Sequence, residues 1–564
     1  MKKKIFLLPI NCFISLLIGA VIFVIFFGVT SLNPSNIDWI SISHSDLRAH
    51  YLGWEFFRRS EWLFPLGVFN TLSYPVYTSV LNTDSLPFLA IVFKFLSDFL
   101  PKNFQYFGWF AISCYMMQSL FGMLIINKYV PKNIHGSILS ILGGLLFSLV
   151  PVLWFPMWWH TILSCQWLIL GAFLLIIYDG NLTSKHKFIL YSALAFVASI
   201  TQPYFLAYIG FILLAFCLYS FIAQKQIKNF LYYALFIIIS LFTLYLVGAF
   251  SMNSNYSAPH LYEDSFNLNG FINSFGVFRF FSDMPIYSSS QQIGFAYWGI
   301  GVILLFFISM VCLFINTKTV SNLLNNLVKY KLEIVFVLLF VIFTVVLAIS
   351  PRVTFGDKML FEIPYPQKII DLWSICRSTG RFIWITNYIV LILTTVYIAK
   401  SVKFKYSLSI FLICILFQIY DFIPAIQAKN FDMKKPIQYH SYLQNDLWND
   451  IAKDNNIKVV YIDPLMYENS KYFDLDIAKW ACENDLYLND FDFSRPIKGL
   501  NEIYYNKLQN PNIQDMFIFD KSNYPKNLIQ NSPLKYFYEL DDLIIGCMIP
   551  FTGLDQVAIS KNKL

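Results

Sequence analysis

Residues 5–30 read IFLLPINCFISLLIGAVIFVIFFGVT, without one charged side chain, directly behind Lys2, Lys3 and Lys4. A helix needs about 20 apolar residues to cross the hydrocarbon core of a bilayer, where each backbone N–H and C=O must find its partner inside the helix. The run exceeds the apolar part of a cleaved leader and shows no small-x-small cleavage site before Asn33 and Pro34, so it reads as a retained anchor. Working outward, ten further runs follow, at about 104–126, 136–153, 161–178, 187–201, 203–222, 229–251, 293–316, 333–350, 383–400 and 406–423. Pro203 divides the stretch 187–222 into two, because proline cannot continue the helical hydrogen-bond ladder. Acids and arginines collect between the runs, not within them.

Composition agrees. Of 564 residues, 57% are hydrophobic, 19% aromatic and 13% charged. Soluble globular chains carry about 25% charged residues, so an ordinary soluble enzyme is excluded, as are disordered and collagen-like chains. Residues 1–424 hold 26 basic and 15 acidic side chains, and residues 425–564 hold 15 and 19. The fold class read from this is an α-helical polytopic membrane protein of about 11 transmembrane helices with a C-terminal extracytoplasmic α/β domain. Its membrane domain, 1–424, carries long loops at 31–103, 252–292 and 351–382, and the soluble domain covers 425–564. Six of nine cysteines fall in apolar runs, and no CxxC occurs. Cys482 and Cys547, both in the tail, are the pair available for a disulfide in an oxidising compartment.

Orientation follows from the positive-inside rule. With the N-terminus cytoplasmic, every inside loop has at least two lysines, and all seven arginines before residue 425 fall outside. Arginine on that side goes against the bias. Two reasons remain open: bidentate binding of a phosphate, or structural pairing with carboxylates. The expected location is the bacterial plasma (inner) membrane, with the tail extracytoplasmic.

Loop 31–103 is long for a connector. Leu47, Tyr51, Trp54, Phe57 and Trp62 recur near helical spacing, which predicts an interfacial amphipathic helix from Asp46. A second helix is expected over Leu86–Phe99. In the tail, helices are predicted at Leu443–Lys453 and Asp476–Asn484. Strands are predicted at Lys458–Asp463, Leu486–Phe493, Met516–Phe519 and Leu543–Met548. That order suggests a partly parallel sheet.

The stretches Asp46–Trp54, Trp62–Gly67, Thr83–Pro87, Phe104–Gly108 and Arg377–Trp384, in this architecture, resemble the GT-C superfamily of membrane glycosyltransferases, in a bacterial multi-pass branch. The resemblance covers most of residues 1–424. It implies transfer of a sugar from a polyprenyl-phosphate donor to a cell-envelope glycan or lipid on the outer face of the membrane, with inversion. An acceptor hydroxyl attacks the anomeric carbon and the lipid phosphate leaves. A carboxylate takes the hydroxyl proton, and cations meet the charge developing on the phosphate.

On those terms Asp46 is the expected general base, with Asp84 as the second candidate; a helix-capping role suits either. Arg48, Arg58, Arg59, Arg377 and Arg381 are the donor-phosphate candidates, the last two spaced i,i+4. Trp54, Trp158, Trp159, His160, Glu263 and Asp264 are the candidates for sugar or acceptor, against the plainer reading of an aromatic belt and loop polarity. Many members of the superfamily carry an acidic pair where Asp46 stands alone between His44 and His50. No cofactor is read from the sequence, and a divalent metal is compatible with the resemblance. The expected partners are a polyprenyl-phosphate-linked sugar, the envelope acceptor and the lipid bilayer, with no nucleic acid. The alternatives from other classes are a flippase or transporter of lipid-linked oligosaccharide and a glycan polymerase or ligase.

Overall fold

A computed structural model describes residues 2–41, 46–157, 160–253, 261–317, 328–434, 439–454, 456–469 and 473–561. The chain forms two compact units. One comprises Met1–Asn36, Tyr106–Leu241 and Tyr256–Pro436, and the other Ile37–Gln105, Phe242–Asn255 and Ile437–Leu564. The expected boundary at 424/425 is therefore not the compact one, because the tail shares a unit with most of the first long loop.

In the first, helical unit each predicted apolar run is a helix or contains one, from Lys2–Phe27 through Phe107–Tyr129 to Ile383–Ser401 and Phe404–Lys434. Eight helices among the described residues are long and apolar enough to cross a membrane. The number is nine if Ile134–Ser148 and Pro151–Met157, bent by 50° at their break, count as one span. Two of the eleven expected runs fall short of that measure. Ser184–Thr201 opens on Lys185 and Lys187, and the apolar part of the next weak segment, Ile300–Ile315, is short.

Small residues let these helices touch backbone to backbone, the usual way helices associate in lipid. A Cβ on Gly19 would stand 2.3 Å from the Tyr115 carbonyl oxygen, and one on Gly144 would stand 2.6 Å from that of Ser119. Some buried polar side chains bond to one another. Gln118 Nε2 donates to the Tyr388 hydroxyl (2.8 Å), which donates to Gln166 Oε1 (2.6 Å).

Two acids do lie in the apolar runs, against the expectation: Glu333 at the start of 333–350 and Asp421 near the end of 406–423. Asp421, in Phe404–Lys434, is wholly buried. It accepts from the backbone N–H groups of Arg279, Phe280 and Ile300 at 3.0–3.1 Å and from the Tyr297 hydroxyl at 2.6 Å. Gln418, one turn earlier, accepts from the N–H groups of Gly301 and Val302. Together they satisfy the orphan donors at the start of the Ile300–Thr317 helix.

The second, mixed unit holds most of the β structure. Among the described residues of the whole chain the strands in order are β1 (Val68–Phe69), β2 (Thr78–Ser79), β3 (Arg352–Phe355), β4 (Lys358–Glu362), β5 (Val459–Ile462), β6 (Tyr487–Leu488), β7 (Asp515–Asp520), β8 (Tyr536–Leu540), β9 (Leu543–Cys547) and β10 (Ala558–Ile559). β3 and β4 form a hairpin in the helical unit, and β1 pairs with β2. The main sheet runs β10-β8-β9-β7-β5-β6, parallel at β7-β5-β6 and antiparallel elsewhere. The partly parallel sheet was legible in the sequence, whereas β8 and the helix Leu500–Gln509 were not foreseen.

The first loop knits into this sheet. Tyr74 N–H donates to the Leu488 carbonyl (2.7 Å) and Leu488 N–H to that of Thr71 (2.8 Å), so 71–74 extends the β6 edge. Asn82 grips a tail segment through four contacts with Ser494 and Arg495 at 2.8–3.2 Å. The helix Asp46–Arg59 buries every residue from Leu47 to Phe57. It is a core helix of this unit, not the interfacial helix its spacing suggested, because the tail covers its outer face. The exposed aromatics come later, at Trp62, Phe64, Tyr77, Phe88, Phe95 and Phe99. Cys482 and Cys547 are both free and buried, on a helix and on β9 respectively, so the disulfide considered for the tail is absent.

Candidate functional site

Two clusters stand out, one in each unit. In the mixed unit the N-terminal turn of the Asp46–Arg59 helix presents an exposed Asp46. His50, one turn on, brings a ring nitrogen within 4.8 Å of the Asp46 carboxylate. His50 Nε2 also lies 3.9 Å from Asp84 Oδ2. Both carboxylates singled out from the sequence therefore gather around one imidazole. Gly53 makes this possible, since a Cβ there would stand 2.4 Å from Thr83 Cβ and push the Asp84 loop away. The Ser85 hydroxyl donates to the His50 carbonyl at 2.6 Å and locks the loop to the helix. The loop itself is strained. Asp84 and Leu86 sit at φ +51° and +54°, and Leu86 precedes Pro87. Such left-handed positions cost on the order of 1–3 kcal/mol each outside glycine and collect at functional sites. Asp46 and His50 are the residues of this unit whose ligand atoms lie close enough together to share a divalent cation, an oxygen–nitrogen donor pair.

The arginines of the same helix are committed elsewhere. Arg48 is 2% exposed. Its guanidinium meets the Asp476 carboxylate and the Tyr439 hydroxyl and lies over the Tyr439 ring. Arg58 donates to Ser97 Oγ and to the backbone carbonyls of Ser97, Leu100, Pro101 and Lys102, stapling that turn. Arg59 pairs with Glu55 and with Asp485. Glu55, buried between Arg58 and Arg59, has its carboxyl pushed up by desolvation, which the two guanidinium groups only partly counter. Of the two open explanations for arginine in this loop, pairing and carbonyl capture account for all three. Trp54 is fully buried with its N–H on the Phe104 carbonyl, so it is a core residue and presents no face to a sugar.

In the helical unit the segments 264–266, 294 and 378–381 converge. A Cβ on Gly380 would stand 2.9 Å from both the Asp264 carbonyl oxygen and Gly294 Cα. Gly380 N–H donates to that Asp264 carbonyl (2.9 Å), and Ser378 Oγ donates to the Asp264 carboxylate (3.1 Å). Ser378 N–H donates to the Tyr204 hydroxyl at 2.8 Å. The ring of Tyr204 faces the next residue of the turn that matters, Arg381, with Cζ 5.3 Å from the ring centroid.

Arg381 is 9% exposed and, among the described residues, has no carboxylate or side-chain hydrogen-bond partner. It stands on the 3₁₀ turn Thr379–Phe382 that opens the Ile383–Ser401 helix, whose N-terminal end favours negative charge. His160 lies near it. Burial, then the charges of Arg381 and Arg377, hold the His160 imidazole well below its usual range, so it is neutral at physiological pH. Arg377 and Arg381 do not share a helical face, because the chain leaves helix after Ser374. Both nevertheless act on His160. Glu263 is exposed beside the buried Asp264. Trp158 and Trp159 lie outside the described residues. Tyr204 and Ser378 were missed in the sequence, where only the arginine spacing gave a signal.

No curated protein matches the chain. Among solved structures it is similar to the oligosaccharyltransferase AglB of Archaeoglobus fulgidus, which was solved with an inhibitory peptide and a dolichol-phosphate. That likeness has 10% identity and a TM-score of 0.37, over 97% of this chain and 76% of that one. A family model matches residues 16–423, and by that match the chain belongs to the family described as a domain of unknown function, DUF6311.

Proposed function

We propose that this protein is a membrane glycosyltransferase that moves a sugar from a polyprenyl-phosphate donor to a cell-envelope glycan or lipid on the outer face of the plasma membrane. The observation that carries this reading is Arg381: a buried guanidinium with no carboxylate partner among the described residues, over an aromatic ring and at a helix N-terminus. A buried cation without a counter-ion is costly. A phosphate that arrives with the donor removes that cost, and the pair strengthens as charge develops on the departing oxygen. Arg377 adds positive potential, and neutral His160 offers a hydrogen bond without a further charge. The resemblance assigns the acceptor's proton to Asp46, with Asp84 behind His50. Within the helical unit Asp264 is the carboxylate tied to the turn that carries Arg381, through the Ser378 hydroxyl and the Gly380 N–H.

The test is surface glycan composition in cells that make the wild-type protein, none, or the variants Arg381→Ala, Asp46→Asn and Asp264→Asn, each confirmed at normal membrane levels. One sugar substituent should vanish in the null strain and in Arg381→Ala. The aspartate variant that loses it identifies the base. Full modification by Arg381→Ala refutes the phosphate role. Accumulation of lipid-linked precursor in the null strain, with no substituent lost, replaces this reading with transport or polymerisation.

A further inference from the structure

The span Thr161–Asn181 lines a separate feature along most of its length, from Trp167 to Tyr178. A groove of about 460 Å³ opens there on the side of the helical unit. Leu8, Phe121, Leu124, Leu174, Ala193 and Val197, from four different helices, line it, and no charged side chain does. Gly171 forms part of the lining, and a Cβ there would stand 3.3 Å from Leu194 and Phe121, so a larger residue would press on both walls.

Two lysines stand at the groove's Tyr178 end. Lys128 Nζ lies 4.8 Å from the centroid of the Tyr178 ring, itself part of the lining, and donates to Asn181. Lys132 lies close enough that the Lys128 charge, after burial, lowers its pKa. The nearby Asp179 is taken by Lys187 at 2.7 Å. Among the described residues neither Lys128 nor Lys132 has a carboxylate partner.

We propose that the groove holds an acyl chain of an anionic phospholipid of the bilayer, with its headgroup phosphate met by Lys128 and Lys132. Size argues against a partner helix: at about 10 Å across and about 5.4 Å per turn, a helix would fill the volume with one turn. A flexible hydrocarbon chain needs no more width than the groove offers. Charge decides the headgroup, since lysines without a carboxylate partner at the end of an apolar cleft between helices favour anionic over zwitterionic lipid. This site is independent of the transfer reaction proposed above.

The test is native mass spectrometry of the full protein released from nanodiscs of equal phosphatidylglycerol and phosphatidylcholine. The wild type should retain phosphatidylglycerol in preference. Lys128→Gln with Lys132→Gln should weaken that retention by about fivefold per lysine and about 25-fold together. Ala193→Trp, which fills the groove from an exposed position and leaves both lysines in place, should abolish retention of either lipid at this site. Equal retention of the two headgroups by the wild type overturns the proposal. So does retention unchanged in either variant. The two variants act on different parts of the site, so one that fails to insert leaves the other decisive.

Discussion

Arg48 and Arg381 are both almost wholly buried, and the two units treat them in opposite ways. Arg48 in the mixed unit is closed off by Asp476 and Tyr439. Arg381 in the helical unit has an aromatic ring on one side and no acid among the described residues. A buried cation that is already paired fixes the fold. One left unpaired keeps its electrostatic strength for something that arrives later. Residue type and burial alone would rank the two arginines equally. Only their partners separate them.

That distinction can be broken by exchange. Arg381→Ala should reduce sugar transfer by about 10²–10³-fold, the usual loss for one group that stabilises developing charge, while the thermal midpoint of the purified protein stays near wild type. Arg48→Met should do the reverse. It strands Asp476, and breaking a buried pair from one side costs about 3–5 kcal/mol. The melting curve should fall steeply, and Arg48→Met with Asp476→Leu together should recover much of the loss. If Arg48→Met melts normally but abolishes transfer, the contrast between the two arginines fails.

Gly380→Ala sharpens the comparison. The new Cβ must displace the Asp264 or Gly294 backbone, and overpacking of this kind costs about 1–3 kcal/mol. Because Arg381 is the next residue, transfer should fall by more than the stability loss explains, read as activity per folded molecule. Rescue by a second glycine-sized gap elsewhere is not expected.

The smallest effect concerns an acid. Asp463, at the end of β5, is fully buried, and one of its oxygens has no hydrogen-bond partner. Burial pushes its carboxyl up from 3.8 to about 6, and the charge of Asp520 adds to this. Below about pH 3.8 both folded and unfolded chains hold the proton. Between 3.8 and 6 the folded chain keeps a proton the unfolded chain has lost, so stability falls as pH rises and the penalty is complete above 6. Asp463→Asn should therefore stabilise the protein by about 1–3 kcal/mol at pH 7.5 and by little at pH 4. A gain that is the same at both values would place its cause outside this titration.

Much of the helical unit was legible, because a span is written locally: about 20 apolar residues announce it whatever they touch. The exceptions are instructive. Asp421 reads as an interruption of a span and is a cap for another helix 121 residues away. The Asp46–His50 spacing is one helical turn and was visible, but the approach of Asp84 depends on Gly53 and a strained loop. The fates of Arg48 and Arg59 depend on acids more than 420 residues later in the chain. The helix Asp46–Arg59 has an amphipathic pattern in isolation, yet it is buried on all sides once the tail is present. Local periodicity reports what a segment prefers to bury, not which distant segment will do the burying.

Asn82 meets its partner Ser494 412 residues later in the chain. At about 5–20 residues per second, roughly 20–80 s of synthesis separate the two. For that interval the first loop has left the ribosome without the strand edge and the carboxylates that complete it. Its folding is thus scheduled by the end of translation, and the half-made loop needs protection until then. A premature stop before residue 494 would remove the tail and also deprive residues 37–105 of their final structure, turning a late truncation into an early defect that membrane proteases can read.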